Sequence, residues 1–208
     1  MRKIYKKVLI VLFLLMFPTI TLATTNYIEG KIVIEKNTDF KGNWVIKEGT
    51  TLIIKEKVNC VFKGEIKFNG KKNSPITIYA DKDSNIIFEK CNDVTLKYVI
   101  VSGATMLEFN ESTGRIENCD LDKCNIGFKA AKNSKITITK CSIKNCEIGF
   151  IAELKASAEL NDVNFTNNNK AVIASQSGSI DLKNSVLKSN KVGFFVNNDA
   201  HIRVKNCN

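Results

Sequence analysis

The chain has 208 residues, with 31 basic and 21 acidic side chains, one histidine and a formal net charge of +10. This length suits a single domain, and the chain has no Lys/Arg run interleaved with aromatic residues of the kind that binds nucleic acid. We therefore expect no nucleic-acid partner, and a basic chain of this type is better matched to anionic glycans or to the cell envelope.

The segment from Met1 to Ala23 has the three parts of a secretory signal peptide. MRKIYKK is basic, VLIVLFLLMF is apolar but shorter than the ~20 residues of a membrane span, and TLA supplies small residues at a cleavage site. We predict cleavage after Ala23, which makes residues 24–208 a secreted, periplasmic or cell-surface protein. The leader contains four basic and no acidic residues, so its removal lowers the net charge to +6. If it is not cleaved, the same segment is the expected contact with a membrane.

Residues 24–93 predict the first, irregular part of a β-domain that covers residues 24–208. Between Gly42 and Ala80, apolar residues alternate with polar ones around Gly42, Gly49, Gly64 and Gly70. This period of two predicts short strands. Trp44 and Tyr79 are expected to pack in the core.

From about residue 94 to residue 208, apolar positions recur every 22 residues. The recurring sets are Ile116, Ile138, Leu160, Leu182 and Val204; Leu121, Ile143, Phe165 and Leu187; and Phe128, Phe150, Val172 and Phe194. Within one period the apolar residues alternate in three short bursts, and no helical stripe or Leu-x-x-Leu-x-Leu motif is present. The pattern therefore predicts a parallel β-helix of about eight coils, stacked ~4.8 Å apart, and excludes a leucine-rich repeat.

Two groups of motifs resemble a known family. The first are Gly49–Ile54, Gly64, Gly70 and Pro75–Ile78; the second are the later phrases of the form I-x-x-C-x-I-x-x-C-x-x-G-F. They resemble the first coils and the general repeat of the right-handed parallel β-helix family of exported bacterial proteins, a pectate-lyase-like solenoid. The resemblance implies an all-β, right-handed, single-stranded parallel β-helix with about 22 residues per coil. It does not imply an activity, because such proteins include lyases, hydrolases, epimerases, adhesins and members without known chemistry.

The phrase CDLDKCNIGF at Cys119 recurs as CSIKNCEIGF at Cys141 and places the cysteines in two columns. The first column contains Cys119, Cys141, Val163, Ser185 and Cys207, and the second contains Cys124, Cys146, Asn168 and Asn190. Stacked copies hold their Cβ atoms about 4.8 Å apart, which is longer than the ~3.5–4.5 Å of a disulfide. We predict buried, reduced thiols and an asparagine ladder at Asn168 and Asn190, with a four-thiolate zinc site as the alternative.

Asp120 and Asp122 flank an inward Leu121, and Lys144 follows one coil later. Two outward carboxylates beside a lysine are the candidates for Ca²⁺ binding or for acid/base chemistry on a uronic-acid polymer. The chain has three arginines, an isolated His201 and no dense acidic cluster. We therefore favour a solvated surface at this position and expect no cofactor.

Two outward columns mix charges with hydroxyl and amide groups. One contains Arg115, Thr137, Glu159, Asp181 and Arg203, and the other contains Glu117, Thr139, Asn161, Lys183 and Lys205. Such a surface suits the hydroxyl groups of sugars.

At the C-terminus, His201–Asn208 repeats only the opening strand of a coil, which predicts either a piece of a longer protein or end-to-end association at this coil.

Two functions follow from these features. The favoured one is an exported, non-catalytic surface or envelope module that binds a glycan or a partner protein. The alternative is a carbohydrate-active enzyme, either a polysaccharide lyase or a glycoside hydrolase, that works on the outer β-face at Asp120 and Asp122.

Overall fold

The computed structural model describes residues 24–208, and the predicted signal peptide lies outside them. The first coils contain β1 (Thr25–Ile28), β2 (Lys31–Ile34), β3 (Thr38–Lys41), β4 (Asn43–Lys47), β5 (Thr51–Ile54), β6 (Asn59–Lys63), β7 (Glu65–Asn69) and β8 (Ile76–Glu89). The middle coils contain β9 (Asp93–Lys97), β10 (Val99–Asn110), β11 (Thr113–Glu117), β12 (Asp120–Asp122), β13 (Ile126–Ala131), β14 (Lys135–Thr139), β15 (Ser142–Lys144) and β16 (Ile148–Ala152). The last coils contain β17 (Ser157–Asn161), β18 (Asn164–Thr166), β19 (Lys170–Ala174), β20 (Ser179–Lys183), β21 (Val186–Lys188), β22 (Val192–Val196) and β23 (His201–Lys205). Over this range no helix is long and apolar enough to cross a membrane.

The strands stack into three parallel faces. Face A is the outer side of a nine-stranded sheet in the order β1-β4-β7-β9-β11-β14-β17-β20-β23. Face B is the outer side of β2, β5, β12, β15, β18 and β21, and face C is the outer side of β3, β6, β13, β16, β19 and β22. The long strands β8 and β10 pair with both of these sets, so each of them bends from face B into face C. The predicted all-β solenoid of about eight coils is confirmed.

Coil length becomes regular only in the second half of the chain. Gly114 pairs with Ile136, and every later pair in this column repeats the same step along the sequence. In earlier coils fewer residues separate the paired positions of β1 and β4 and of β9 and β11, and more residues separate those of β7 and β9. Differences in turn length account for this variation, because the paired strands themselves stay in register.

The core consists of columns of apolar side chains whose sizes compensate one another. Phe40, Phe62, Phe88 and Phe109 stack with ring centroids 4.5–5.6 Å apart. Beyond Phe109 this column continues as alanine, at Ala130 and Ala152, while the adjacent column changes from Leu107 to Phe128 and Phe150. The total volume of each layer is thereby kept, as close packing requires.

From β9 onward, the turn after each face A strand places one residue in the left-handed backbone region. These residues are Tyr98, Asn118, Lys140, Asp162, Asn184 and Asn206, with φ between 48° and 57°. The backbone N–H of each of the first five donates to a carbonyl of the next coil, at 3.0–3.2 Å. Their side chains therefore form a regular stack at the corner between face A and face B.

The two aromatic side chains expected in the core, Trp44 and Tyr79, differ in their burial. Trp44 is half-buried and packs edge-on against Phe40, but Tyr79 is 52% exposed, so its predicted core position is wrong. Tyr79 lies between buried Ile78 and Ala80 in β8 and therefore points outward.

Val204 faces the core side and stacks on Leu182, yet it is exposed because no described residue covers it. End-to-end association at this coil stays a prediction.

Candidate binding surface

The asparagine ladder is confirmed. Asn168 Nδ2 donates to the carbonyl of Ile143 at 3.0 Å, and Asn168 Oδ1 accepts from the backbone N–H of Cys146 at 2.9 Å. Asn190 repeats the arrangement one coil later with Phe165 and Asn168. The ladder satisfies backbone groups that the bend between face B and face C removes from the sheets.

The seven cysteines between residues 24 and 208 are free thiols, and six of them are buried. The ladder position holds thiols in the earlier coils, where Cys146 Sγ donates to the carbonyl of Lys144 at 3.2 Å. The other cysteine column lies at the turn between face A and face B, where Cys119 N–H donates to Cys141 Sγ at 3.4 Å. In that column Cys207 Sγ donates to the carbonyl of Leu182 at 3.8 Å. In the coils that contain them, these cysteines thus occupy turn positions with a structural role.

The electrostatic environment favours the protonated form of four of these thiols, whereas the hydrogen bond with Cys124 lowers the pKa of Cys146. Burial raises the pKa of Cys60 to about 12 and also raises that of Cys91. Burial and the adjacent Cys141 thiol raise the pKa of Cys119, and the adjacent Cys146 thiol together with burial raises that of Cys124. A protonated thiol is a poor nucleophile and a poor metal ligand. In residues 24–208, no three His, Cys, Asp or Glu side chains come together in a way that could hold a metal ion.

The candidate acids lie on face B. Leu121 between them is fully buried, Asp120 is exposed and Asp122 is half-buried. Lys144 is the register partner of Asp122 one coil later, and Asn145 Nδ2 donates to Asp122 Oδ1 at 2.7 Å. Of the two carboxylates, Asp122 is therefore held by a neighbouring amide, and Asp120 is the one that lines a depression.

That depression, which we call the corner pocket, has a volume of about 370 Å³. It lies between face A and face B and is lined by Lys72, Pro75, Tyr98, Ile100, Asn118, Asp120 and Lys140. Sequence reasoning singled out Asp120 but missed Lys72, Tyr98 and Lys140. The irregular coil lengths around residues 65–113 hid the fact that these residues share a corner.

A longer feature runs along face A. Three depressions of about 330, 390 and 490 Å³ follow one another from β9 to β23. The first two share Arg115 and Thr137, and the last two share Asp181 and Arg203, so they form one continuous surface that we call the face A groove. Both outward columns predicted from the sequence contribute residues to it.

The groove is rich in hydroxyl and basic groups. Its hydroxyl groups belong to Thr95, Thr113, Thr137, Thr139, Ser157 and Ser179. Its six basic residues are Lys97, Arg115, Lys135, Lys183, Arg203 and Lys205, and its three acidic residues are Glu117, Glu159 and Asp181. The balance of charge along the groove is therefore positive.

Ion pairs engage only part of this charge. Arg203 binds both carboxylate oxygens of Asp181 at 2.6 and 3.2 Å, and Lys97 lies 3.6 Å from Glu117. Arg115 lies 3.2 Å from Asp93 outside the groove. Lys135, Lys183, Lys205 and Glu159 form no ion pair with any residue of the described range. Three ammonium groups along the groove are thus left for a ligand.

Face C carries a charged cluster that the sequence analysis also missed. Lys129 Nζ lies 2.9 Å from Glu153 and 3.4 Å from Glu108, and all three side chains are largely covered. Burial lowers the pKa of Lys129, but the pairing with Glu153 and Glu108 outweighs it, so the net shift is upward. A bulge between Met106 and Leu107 makes the step shorter here than the regular coil period, so the repeat pattern does not align Glu108 with Lys129. The cluster is fully paired, so we assign it to the scaffold.

Comparison with protein families gives one match. The family model described as a right-handed β-helix region matches residues 65–208. Searches of curated proteins and of solved structures found no match.

Proposed function

We propose that this chain, a member of the right-handed β-helix family, is a non-catalytic surface module that binds an anionic polysaccharide along the face A groove. The continuity of the groove is the observation that supports this proposal. It crosses six strands, which at ~4.8 Å per strand gives a length of roughly 24 Å. A surface of this shape suits a linear polymer better than a small molecule, for which an enclosed cavity is typical.

The repeat explains how such a surface would hold a polymer. Equivalent outward positions recur at one strand spacing, so hydroxyl and ammonium groups stand in rows along the groove. Each exposed charge contributes little alone, but several contacts to one polymer act together and raise the overall affinity. The ammonium groups of Lys135, Lys183 and Lys205 would pair with the carboxylate or sulfate groups of an anionic glycan.

The arrangement of the acids favours binding over catalysis. Hydrolysis of a glycosidic bond ordinarily needs two carboxyl groups on opposite sides of the bond. Within the groove, Glu117 and Asp181 are paired with basic residues, which leaves Glu159 as the single unpaired acid among the described groove residues. Asp120 and Asp122 lie on face B, outside the groove.

A matched pair of triple variants tests the proposal. Lys135→Gln/Lys183→Gln/Lys205→Gln removes three charges from the groove, and Lys123→Gln/Lys144→Gln/Lys188→Gln removes three charges elsewhere. Affinity electrophoresis in gels that contain anionic or neutral polysaccharides measures binding. We expect salt-sensitive retardation by anionic polymers, which the groove variant loses and the other variant keeps.

Three outcomes count against the proposal: no retardation by any polymer, equal retardation by neutral polymers, or equal loss in both variants. An enzymatic function has its own signature, which is polymer shortening that disappears in Asp122→Asn. Detection of that signature would replace the binding module with the carbohydrate-active enzyme.

A further inference from the structure

Face B carries an exposed apolar patch in the first coils. Val33, Ile53 and Tyr79 stand in one outward column, because Val33 pairs with Ile53 and Ile53 pairs with Tyr79. Val33 is 45% exposed, Tyr79 is 52% exposed and Ile100 on the following strand is 37% exposed. We call these four residues the face B patch. The other outward positions of the same strands on this face hold Lys31, Thr51, Thr77 and Ser102.

The near absence of charge distinguishes this patch from the rest of the surface. A quarter of the residues in the chain are charged, yet among the outward positions of face B from β2 to β10 only Lys31 carries a charge. On face A the strands of the same coils carry Lys47, Glu65 and Lys67. A contiguous apolar surface with a polar rim indicates a site that another molecule covers, and tyrosine is enriched in the centre of such sites.

Two unpaired charges of opposite sign lie at the two ends of the patch. Lys31 and Asp120 belong to one outward column of face B, and Thr77 lies in that column two strands from each of them. Both charged side chains are exposed, and neither forms an ion pair within residues 24–208. Four strand spacings of ~4.8 Å separate them by roughly 19 Å, so they cannot pair within one chain.

We propose that the face B patch binds the same patch of a second copy of this chain, with the coils of the two copies stacked in opposite directions. The two-fold axis then runs along the strand direction at Thr77 and Tyr79. It places Tyr79 against Tyr79 of the second copy, and it places Lys31 against Asp120 of the second copy at both ends. Two sheets packed face to face lie ~10 Å apart, a distance that a lysine and an aspartate side chain span together.

The charges select both the partner and the orientation. A cation and an anion at equal distances from the centre of one patch make the patch complementary to itself, as a two-fold interface requires. The other possible two-fold axis, along the stack of coils, would place Asp120 against Asp122 of the second copy and leave Lys31 without an anion. Like charges brought together across an interface oppose association, so the first axis is the one that the charges favour.

The dimer leaves the face A groove free. Rotation about an axis along the strands keeps the strand direction, so the two grooves lie on the same side of the dimer. Two grooves on one side can bind the same polymer, which raises the overall affinity without any new contact. Dimer formation itself does not depend on the proposed function, because no residue of the face B patch lines the groove.

Sedimentation of the purified protein over a range of concentrations tests the inference. Tyr79→Thr removes the central ring, and Tyr27→Thr removes a ring that is 60% exposed on face A. We expect a dimer whose dissociation constant rises about thirtyfold in Tyr79→Thr, the loss typical of a central aromatic contact, and stays within about twofold of normal in Tyr27→Thr. Threonine suits a strand, so at concentrations where both proteins are monomers Tyr79→Thr should melt like the wild type.

An exchange of charges tests the orientation. Lys31→Asp and Asp120→Lys each place like charges together at both ends, so each should weaken the dimer at least about tenfold. The double variant Lys31→Asp/Asp120→Lys restores opposite charges and should dimerise within about threefold of the wild type, and Lys41→Asp on face C should have no effect. The inference is overturned if Tyr79→Thr dimerises like the wild type or if the double variant dimerises no better than the single ones. A wild type that stays monomeric at every soluble concentration would also overturn it and would leave the patch to a different partner.

Discussion

At the scale of single residues, the inward turn position before face C can be filled in two ways. In the later coils Asn168 and Asn190 bond backbone groups of adjacent coils, while in earlier coils Cys124 and Cys146 fill the same position with thiols. An amide donates and accepts strong hydrogen bonds, whereas a thiol does both weakly. The later coils therefore have the better satisfied turn.

Asn168→Ala is expected to lower the free energy of unfolding by about 2 kcal/mol, because it leaves the N–H of Cys146 unpaired and removes the side-chain hydrogen bond to the carbonyl of Ile143. Asn190→Ala, in a half-buried position, should cost about 1 kcal/mol. Urea unfolding measures both values. Equal costs for the two variants would contradict a role that depends on burial.

Because the Cys60 thiol is buried, we expect the free energy of unfolding to fall at high pH. Its pKa is about 12 in the folded chain, against 9.0 for an unperturbed thiol. Below pH 9 both states hold the proton and the contribution is complete. Between pH 9 and pH 12 only the unfolded state releases it, so stability falls by up to about 1.4 kcal/mol per pH unit. Cys60→Ala should show a shallower decline in denaturant titrations over this range, and an unchanged slope would contradict the assignment.

The ladder was predictable because its asparagines repeat at the coil period, but the corner pocket was not. Tyr98, Asn118 and Lys140 occupy equivalent positions separated by two unequal steps, and Lys72 comes from an inserted turn. A column of equivalent residues can be recognised in the sequence only when the number of residues per coil is constant. Residues brought together by an insertion carry no such signal.

At the scale of elements, each strand depends on its neighbours in two directions. It pairs with the strands of adjacent coils, and its inward side chains meet those of the strands on the other two faces. Gly114 in β11 illustrates the second dependence, because a Cβ atom at this position would lie 2.6 Å from the ring of Phe109. The glycine therefore makes room for the last phenylalanine of the aromatic stack.

Gly114→Ala should lower stability by about 2 kcal/mol, the usual cost of overpacking a close-packed core. Adding Phe109→Leu should recover part of the loss. Gly193→Ala is the control, because its Cβ would meet Leu187 at an ordinary 3.8 Å. Thermal unfolding of the three variants measures the effect, and a Gly114→Ala protein as stable as Gly193→Ala would refute this packing argument.

The strands of residues 113–208 could be predicted closely because each repeats a neighbour, and alternating apolar residues fix which side faces inward. The bends of β8 and β10 could not, since continuous pairing through a corner leaves no gap in the alternation to mark it. Tyr79 was misassigned for a related reason. Its aromatic character suggested the core, but the register of β8 decides its direction.

At the scale of the whole molecule, stacking turns a short repeat into a long surface. The groove exists because outward residues of six strands stand in line, and its positive charge comes from lysines distributed over several coils. The corner pocket interrupts this regularity at one place. A continuous groove of this kind suits the proposed linear polymer, which it would hold along its length.

Footprinting of lysine side chains locates the polymer most directly. The wild-type protein is acetylated briefly with and without an anionic polysaccharide, and mass spectrometry measures modification at each lysine. We predict strong protection of Lys135, Lys183 and Lys205 in the groove, with Lys123, Lys144 and Lys188 modified as before. Protection of the second set without the first, or equal protection of both sets, would contradict binding along face A.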